Sequence, residues 1–288
     1  MGRSLGACHR RSARCVSEAM QLADDVCALP LVRRMAALLN RDPGSFAAGD
    51  PLPHGWHVAL FNPPTRQSQL RTDGSAQLGV DLPDLGMPRL MMGGRRIDFI
   101  GEIPIGAPVR RVSRAGAVTT KTGKSGQFAL VDVEHQISVA GNDRPVLVET
   151  TSYVLRNEVG RGPSHPPQAT KSDIPPADFA REITPDETML FRYSAITDNP
   201  HRIHYDLAYA QSEGYPALVV NGTVPTMLLL EMFREHIGGE PAGWHSRNLA
   251  PILCGMPLSL TLSAAGEEYV MRAHGPAGEI ALDAKAWR

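Results

Sequence analysis

Two short segments in the second half of the chain carry the side chains best suited to chemistry. Positions 198–206 read DNPHRIHYD, with an acid, an amide and two histidines, and positions 220–225 read VNGTVP. A histidine can take a proton from water near neutral pH, because its reference pKa is about 6.5. The free N–H groups at a helix N-terminus can hold a developing oxyanion. Together the two segments suit the addition of water to a double bond conjugated to a thioester.

The apolar stretch that follows VNGTVP predicts the best-defined helix of the chain, from about Thr223 to Ile237. Pro225 lies in the first turn, where proline is tolerated, and two glycines at 238–239 supply a C-terminal stop. Large apolar side chains cover most of its circumference, so other elements must surround it. Three strand-like runs follow at 258–264, 269–274 and 279–287. This order predicts a central helix wrapped by a curled antiparallel sheet.

The preceding part of the chain shows a second, less regular set of elements. A helical pattern at 31–39 is followed by a proline-rich segment, and strand-like runs occupy 109–118, 131–139 and 146–155. A glycine turn at 123–126 lies between the first two runs and predicts a hairpin. Prolines and glycines between 157 and 178 predict an extended linker. We therefore divide the chain into an extension that is disordered or wrongly included (1–19), a first half (20–156), the linker (157–178) and a second half (179–288).

Composition narrows the classes of function and the compartment. A net charge of −1 provides no field that would attract nucleic acid or a membrane surface, and no apolar run reaches the roughly 18 residues of a membrane span. Four cysteines without CxxC spacing predict neither a disulfide framework nor a zinc site. The arginine-rich start resembles a transit peptide, although we favour an unstructured tail or an over-long start. We expect a cytoplasmic protein, or a mitochondrial-matrix protein if the start is a transit peptide.

The motif stretch resembles the MaoC-like, (R)-specific enoyl-CoA hydratase branch of the hotdog superfamily, whose motif is Asp-x-Asn-Pro-x-His. It is closer to a subgroup with Thr-x-Asn-x-His-Arg-Ile-His-Tyr-Asp, which positions 197–206 match. The first half is similar to the same subgroup through GDPLP at 49–53, Trp56 and GGR at 93–95. Members resemble hydroxyacyl-thioester dehydratases and the itaconyl-CoA and mesaconyl-C4-CoA hydratases. The resemblance extends from about residue 31 to the end.

This resemblance implies an α+β double hotdog, with two tandem halves that each wrap a long helix in a curled antiparallel sheet. The second half would carry catalysis, and the first, which lacks the acid–histidine–glycine series, would shape the acyl pocket. The implied activity is reversible hydration of an enoyl-CoA, with a C5 dicarboxylyl thioester favoured (itaconyl-CoA or mesaconyl-C4-CoA, giving citramalyl-CoA). The partner is then an acyl-CoA substrate, and a homodimer is compatible with the fold. No cofactor is expected, since CoA enters only as part of the substrate.

The resemblance also implies catalytic residues at the matching positions. His204 occupies the family's histidine position and is expected to be the base. Five residues earlier the family's aspartate is replaced by Asn199, which would orient the water, while Asp198 is one residue out of register. The sequence leaves open which of these two neighbours faces the site. Gly222 is expected to begin the oxyanion-binding helix, since a glycine lets the thioester approach the backbone closely.

Four neighbouring residues are expected to contact substrate. His201 is placed beside the catalytic histidine as an orienting group, and Asn221 and Thr223 flank the glycine. Arg202 has two open roles. It would either form a structural ion pair or use its planar fork to bind a substrate carboxylate or a CoA phosphate.

Other polar positions have structural or surface roles in this interpretation. Asp206 precedes a short helical pattern and is expected to cap it rather than to act in catalysis. The two His-x-x-His spacings, at 54–57 and 201–204, lie in proline-containing segments without a third ligand, so no metal is expected. GKSG at 123–126 lacks the upstream glycine of a phosphate loop. Arg95 and Arg96 could meet the CoA diphosphate, but such residues are more often solvated surface.

Two alternatives remain open beside the hydratase. One is a dehydratase of 3-hydroxyacyl-ACP or a related thioester in fatty-acid synthesis, which would need a basic rim for its acidic carrier and a longer apolar tunnel. The other is a hotdog protein that binds acyl-CoA without turning it over. The amide of Asn199 at the family's aspartate position keeps the second alternative open, because an amide cannot accept the proton.

Overall fold

The computed structural model describes residues 20–76, 85–87, 89–123, 126–156 and 173–288. Four α-helices occur there: α1 (Leu29–Leu38), α2 (Glu187–Ile196), α3 (Leu207–Ser212) and α4 (Val224–His236). The strands of the first half are β1 (Gln21–Val26), β2 (Arg89–Phe99), β3 (Pro108–Ala115), β4 (Thr119–Gly123), β5 (Gly126–Val139) and β6 (Leu147–Arg156). Those of the second half are β7 (Phe179–Ile183), β8 (Gly243–Asn248), β9 (Leu258–Ala265), β10 (Glu268–His274) and β11 (Ile280–Trp287).

The strand order reveals two equivalent halves in one antiparallel sheet. From edge to edge the order is β1-β3-β5-β6-β2-β8-β11-β10-β9-β7, with β4 paired to β5 away from this path. Each of the five first-half strands on this path has a counterpart at the mirrored place in the second half, whereas β4 has none among the described residues. In both halves the first strand is followed by one ten-residue helix, α1 or α2. The fold is therefore a duplicated unit joined between β2 and β8.

Helix α4 is the centre of the second half and matches the predicted helix closely. Proline lies in its first turn, and Gly238 and Gly239 beyond its end adopt the left-handed conformation that terminates a helix. One side packs against β9 and β10. The other side meets the first half, where the indole Nε1 of Trp56 donates to Glu231 at 3.1 Å. The apolar circumference is thus covered by both halves.

The first half differs from the expected pattern. Among the described residues between α1 and β2 there is no long helix but three short 3₁₀ helices, Pro43–Ser45, Trp56–Ala59 and Gln67–Gln69. The expectation of a long helix in each half therefore holds only for the second. As a result the inward face of β2, β5 and β6 is covered by short, irregular segments. This difference leaves room for polar side chains inside the first half.

The two halves meet at the two glycines of the GGR sequence at 93–95, which the family resemblance includes. The β2–β6 register shifts between Met92 and Gly94, so Gly93 is the extra residue of a bulge. Gly94 pairs with Arg247 of β8, and a Cβ atom there would lie only 2.3 Å from the carbonyl oxygen of Ser246. A side chain at position 94 would therefore force the two halves apart.

Several other predictions can be compared with the observed elements. The run predicted at 109–118 corresponds to β3, which ends at Ala115. The separate strand β4 follows it, and both pair with β5. The sequence did not predict β1, β2, β4, α2, β7 or β8. The N-terminal extension and most of the predicted linker lie outside the described residues. No helix in the described ranges has the length and apolar character needed to cross a membrane.

Candidate functional site

His204 is buried and held in one tautomer. It ends the short 3₁₀ helix Arg202–His204, and its side chain is 8% exposed. Its Nδ1 lies 2.7 Å from the carbonyl oxygen of Val219, so Nδ1 carries the proton and donates it. Nε2 then has a free lone pair, and no described group donates a hydrogen bond to it. This atom is a proton acceptor that the surrounding protein does not occupy.

Burial lowers the pKa of His204 to about 4. The hydrogen bond to Val219 acts in the opposite direction, and the neighbouring His201 adds to the decrease. This value lies below the reference pKa of about 6.5 for histidine. The imidazole is neutral at physiological pH, which keeps it competent to accept a proton but makes it a weaker base than an exposed histidine.

Asp198 and Asn199, although adjacent in the chain, have different surroundings in the structure. Asp198 follows α2 at an exposed corner with a φ of 44°, and it is not among the charges that act on the His204 pKa. Asn199 is partly buried, and its Oδ1 accepts a hydrogen bond from the His201 backbone N–H at 3.2 Å. These positions favour Asn199, and not Asp198, as the neighbour of the site.

Two backbone N–H groups at the start of α4 lack acceptors in the described part of the chain, and a short segment connects them to the residue that binds His204. Val219, which receives the His204 hydrogen bond, is three residues before Gly222. Among the described groups, none accepts a hydrogen bond from the backbone N–H of Gly222 or of Thr223. Gly222 is exposed, and a Cβ atom there would meet the Met92 methyl at 3.0 Å. The helix dipole adds positive potential at this point, so the site can hold an anion.

The residues on either side of Gly222 are buried and play different structural roles. Thr223 accepts a hydrogen bond from the phenolic hydroxyl of Tyr193 on α2. Asn221 is 1% exposed, and its Nδ2 donates to Ser194 at 3.3 Å, while its Oδ1 is buried without a partner. Both side chains therefore connect the residues beside Gly222 to α2, and their contact with substrate stays a prediction.

The sequence allowed Arg202 either a structural ion pair or a contact with the substrate, and the structure shows the ion pair. Its Nε and Nη2 both donate to Asp206, at 3.1 and 2.8 Å, and its guanidinium stacks on the ring of Tyr209 at 4.3 Å. Asp206 also accepts from the Tyr209 backbone N–H at 3.0 Å, which confirms its predicted capping role. His201 lies between these groups and the catalytic candidate, with its ring centre 5.7 Å from that of His204.

A second polar cluster, which sequence reasoning missed, lies inside the first half. It is centred on Glu149 of β6, which is 6% exposed. Its Oε2 lies 2.8 Å from Nε2 of His57, and its Oε1 accepts from Thr151 at 2.7 Å and lies 3.4 Å from Nε of Arg95. Burial alone would raise the pKa of Glu149, but Arg95 and His57 together hold it well below its ordinary value. The carboxylate is therefore ionised.

Neighbouring strands extend this cluster, which we call the Glu149 cluster (Arg95, Arg111, Ser113, His135, Glu149, Thr151 and His57). His135 of β5 pairs with Glu149 across the sheet, and its Nδ1 shares a hydrogen bond with Ser113 of β3 at 2.8 Å. Burial lowers the His135 pKa to about 4, so it is neutral. The one sequence signal was His135 itself, a polar residue at an inward position of an otherwise apolar alternation.

The adjacent arginines lie on opposite faces of β2. Arg95 points inward to Glu149 with its side chain 17% exposed, whereas Arg96 points outward, pairs with Asp98 at 3.0 Å and lies over the ring of Trp287. Arg96 fits the expected surface role. Arg95 does not, because the period of a strand turns consecutive side chains to opposite faces.

Other cavities and clusters do not compete with this site. In the ranges that the structure covers, no group of three or more histidine, cysteine or acidic side chains is placed to hold a metal ion. One surface groove lies beyond the C-terminal end of α4 and is lined by His54, Phe99 and Arg288, among others. Since α4 has thirteen residues, that groove lies about 20 Å from Gly222.

Comparison with known proteins identifies the family and the fold. A family described as hydroxyacyl-thioester dehydratase type 2 matches residues 55–254. Mesaconyl-C(4)-CoA hydratase of Chloroflexus aurantiacus is 38% identical over 269 residues, which are 92% of this chain and 93% of that protein. The match therefore includes both halves.

Solved structures with low sequence identity have the same fold. A MaoC-like dehydratase from Phytophthora capsici is 15% identical, with a TM-score of 0.69, and the alignment covers 94% of this chain and 95% of that one. A Mycobacterium tuberculosis protein described as a double hotdog fold is 14% identical, with a TM-score of 0.57 over 92% and 94% of the two chains. These likenesses confirm the predicted double hotdog.

Proposed function

Because the chain belongs to the hydroxyacyl-thioester dehydratase type 2 family, we propose that it catalyses the reversible hydration of mesaconyl-C4-CoA to citramalyl-CoA. The named relative acts on that thioester, and it is similar to this chain along nearly its full length. An enzyme of this class is a hydro-lyase that acts on an acyl-CoA.

The proposed reaction begins with proton removal from water by Nε2 of His204. The water oxygen bonds to the β-carbon of the enoyl group, and the electron pair of the double bond moves toward the thioester carbonyl. The resulting enolate oxygen accepts hydrogen bonds from the Gly222 and Thr223 N–H groups. The proton is then returned from His204 to the α-carbon, so that one water has been added in total. Asn199 orients the attacking water through its side-chain amide.

One observation carries this proposal. The Nδ1–H of His204 donates to the carbonyl oxygen of Val219, so Nε2 keeps a free lone pair. The same hydrogen bond fixes His204 to the segment that leads to Gly222, whose backbone N–H has no acceptor within the described parts of the chain. The proposed proton acceptor and the proposed oxyanion site thus belong to neighbouring segments of the chain, which supports the proposal. Loss of one oxyanion donor typically costs about 3 kcal/mol of transition-state stabilisation.

The proposal is tested by following the loss of enoyl absorbance when purified protein is added to mesaconyl-C4-CoA. His204→Gln should lower kcat at least about 100-fold, within the contribution expected of a general base. His236→Gln serves as the matched control, because His236 is an exposed histidine at the opposite end of α4. Binding of the thioester without turnover by the unsubstituted protein would instead indicate the non-catalytic acyl-CoA-binding protein.

The proposed mechanism uses only groups of the chain, with CoA as part of the substrate. Dialysis against EDTA should therefore leave the hydration rate unchanged, and a rate restored by added zinc or magnesium would contradict this. Assembly as a homodimer stays a prediction, which sedimentation velocity would test.

A further inference from the structure

The inward faces of the two halves differ in chemistry at mirrored places. In the second half the inward residues of β9, β10 and β11 are apolar and buried under α4 (Leu258, Leu260, Leu262, Met271, Ala273, Leu282, Ala284 and Ala286). In the first half the mirrored strands β3, β5 and β6 carry the Glu149 cluster. Ionised groups are costly to bury and are retained where they are paired or where they bind something.

The Glu149 cluster has more positive than negative charge. Arg95 and Arg111 both face inward, and Glu149 is the carboxylate that acts on both. Asp25 also acts on Arg111, but its Oδ2 is occupied by the Phe61 backbone N–H at 2.6 Å, and no ion pair joins the two side chains. The Nε of Arg111 is buried without a hydrogen-bond acceptor. No carboxylate of the described residues forms an ion pair with Arg111, so its guanidinium is only partly paired.

Arg95 offers free donors to an anion. Its Nε is occupied by the sulfur of Met92 at 3.2 Å and lies beside Glu149. In the part of the chain that the structure describes, neither Nη atom has a hydrogen-bond acceptor. Glu149 is fixed by hydrogen bonds from His57 and Thr151, and it holds the Arg95 guanidinium on the Nε side. The two Nη atoms on the other side form an open fork that remains available to a ligand.

The open fork lies close to the start of α4. Met92, which contacts Arg95, places its methyl group 3.0 Å from the position that a Cβ on Gly222 would take. The charges of Arg95 and Glu149 also act on the hydroxyl of Tyr193, which is bonded to Thr223. Arg95 is therefore within one or two side-chain lengths of the proposed oxyanion site.

We propose that Arg95 binds the free carboxylate of a dicarboxylyl-CoA substrate and so determines the acyl specificity of the enzyme. This inference rests on the proposed function. In mesaconyl-C4-CoA the carboxylate is attached to the β-carbon, so its carbon lies three bonds from the thioester carbonyl carbon. This suits the short separation between Arg95 and Gly222. An arginine fork recognises a carboxylate through two parallel hydrogen bonds. Glu149 is a positioning residue that holds the arginine for this contact.

The test compares two thioesters that differ only at the position of the carboxylate. In 3-methylcrotonyl-CoA a methyl group replaces the carboxylate of mesaconyl-C4-CoA, while the double bond and the thioester are unchanged. The readout is the ratio of kcat/KM for the two substrates. Arg95→Met should lower kcat/KM for mesaconyl-C4-CoA at least about 100-fold and leave that for 3-methylcrotonyl-CoA within a few-fold, because a site built around a polar group discriminates strongly when one partner is lost.

Two further variants separate recognition from folding. Arg96→Met is the matched control, since it removes the adjacent arginine from the outer face, and it should leave the ratio unchanged. Arg95→Lys keeps the positive charge beside Glu149 but loses the fork, so it should fold like the unsubstituted chain and show a smaller, mesaconyl-specific loss.

The outcomes distinguish this inference from the proposed function. A selective loss in Arg95→Met, or in Arg95→Lys if the methionine variant does not fold, supports the carboxylate site. Equal losses on both substrates would overturn it and leave the hydratase function intact. No turnover of either thioester by the unsubstituted enzyme would overturn the function and this inference together.

Discussion

The hydroxyl of Tyr193 donates a hydrogen bond to the hydroxyl of Thr223, and both groups are buried. Tyr193 lies on α2, just before the motif that contains His204, and Thr223 is the N-cap residue of α4. Burial raises the pKa of Tyr193, which keeps the phenol protonated and able to donate. This bond therefore joins the segment of the proposed base to the helix that carries the proposed oxyanion donors.

We expect Tyr193→Phe to weaken this junction. Loss of one buried hydrogen bond should lower the free energy of unfolding by about 1 kcal/mol, with the Thr223 hydroxyl left unpaired. The hydration rate should also decrease, because the α4 N-terminus is less well fixed. Urea denaturation and steady-state kinetics measure the two effects. An unchanged denaturation midpoint would show that the hydrogen bond contributes nothing to stability.

Substitutions of Asp198 and of Asn199 should affect the hydration rate to different extents. Asp198→Asn removes the charge while an asparagine tolerates the left-handed backbone at this exposed corner, so activity should stay within about 2-fold. Asn199→Ala should lower kcat by about 10-fold, since it removes a partly buried amide beside the motif. Steady-state rates on mesaconyl-C4-CoA check both. If Asp198→Asn abolishes turnover, Asp198 supplies the family's acid after all.

Gly222→Ala should reduce activity more than it reduces stability. The added methyl group would meet the flexible end of Met92 at 3.0 Å, which can shift at small cost, but it would also occupy the space where the thioester approaches the backbone. We expect kcat/KM to fall about 10- to 100-fold, equivalent to about 1.4–2.7 kcal/mol. Thermal denaturation serves as the control, and a large decrease in Tm would assign the effect to folding.

The pH dependence of hydration should show an acid limb at low pH. The free enzyme requires neutral His204, whose pKa is about 4, so kcat/KM should be nearly constant from about pH 5.5 to 7 and decline as the pH falls through about 4. An exposed histidine would place this limb near pH 6.5. Stopped-flow rates after brief pH jumps measure it without prolonged acid exposure, and a limb near pH 6.5 would contradict the buried position of the base.

The stability of the fold should decrease on acidification before ordinary carboxylates titrate. His135 and His204 both have folded pKa values of about 4, below the 6.5 of the unfolded chain. Each neutral histidine therefore makes its full contribution to the free energy of unfolding above about pH 6.5. This contribution, at most about 3 kcal/mol for each histidine, is lost as the pH falls toward 4. Denaturant midpoints across pH 4–7 check this. His135→Gln should reduce the slope, and an unchanged slope would argue against the effect.

Local patterns were enough to identify part of the second half. Helix α4, the last three strands (β9, β10 and β11) and the capping role of Asp206 were predicted correctly, because each depends on neighbours within a few positions. Proline, glycine and apolar periodicity act over one or two turns of helix or strand. The first half was harder to predict, because the long helix expected there is replaced by three short 3₁₀ helices.

The sequence by itself determined the family motif and the helix that follows Gly222, and its resemblance to the family implied the double hotdog. Only the tertiary structure decided that Arg95 faces inward, that Glu149 joins it to His57 across 92 positions of the chain, and that burial lowers the His204 pKa. Each of these depends on which strands are adjacent and on how much water is excluded. Contacts between distant positions leave no local periodicity, and desolvation depends on the whole surrounding fold.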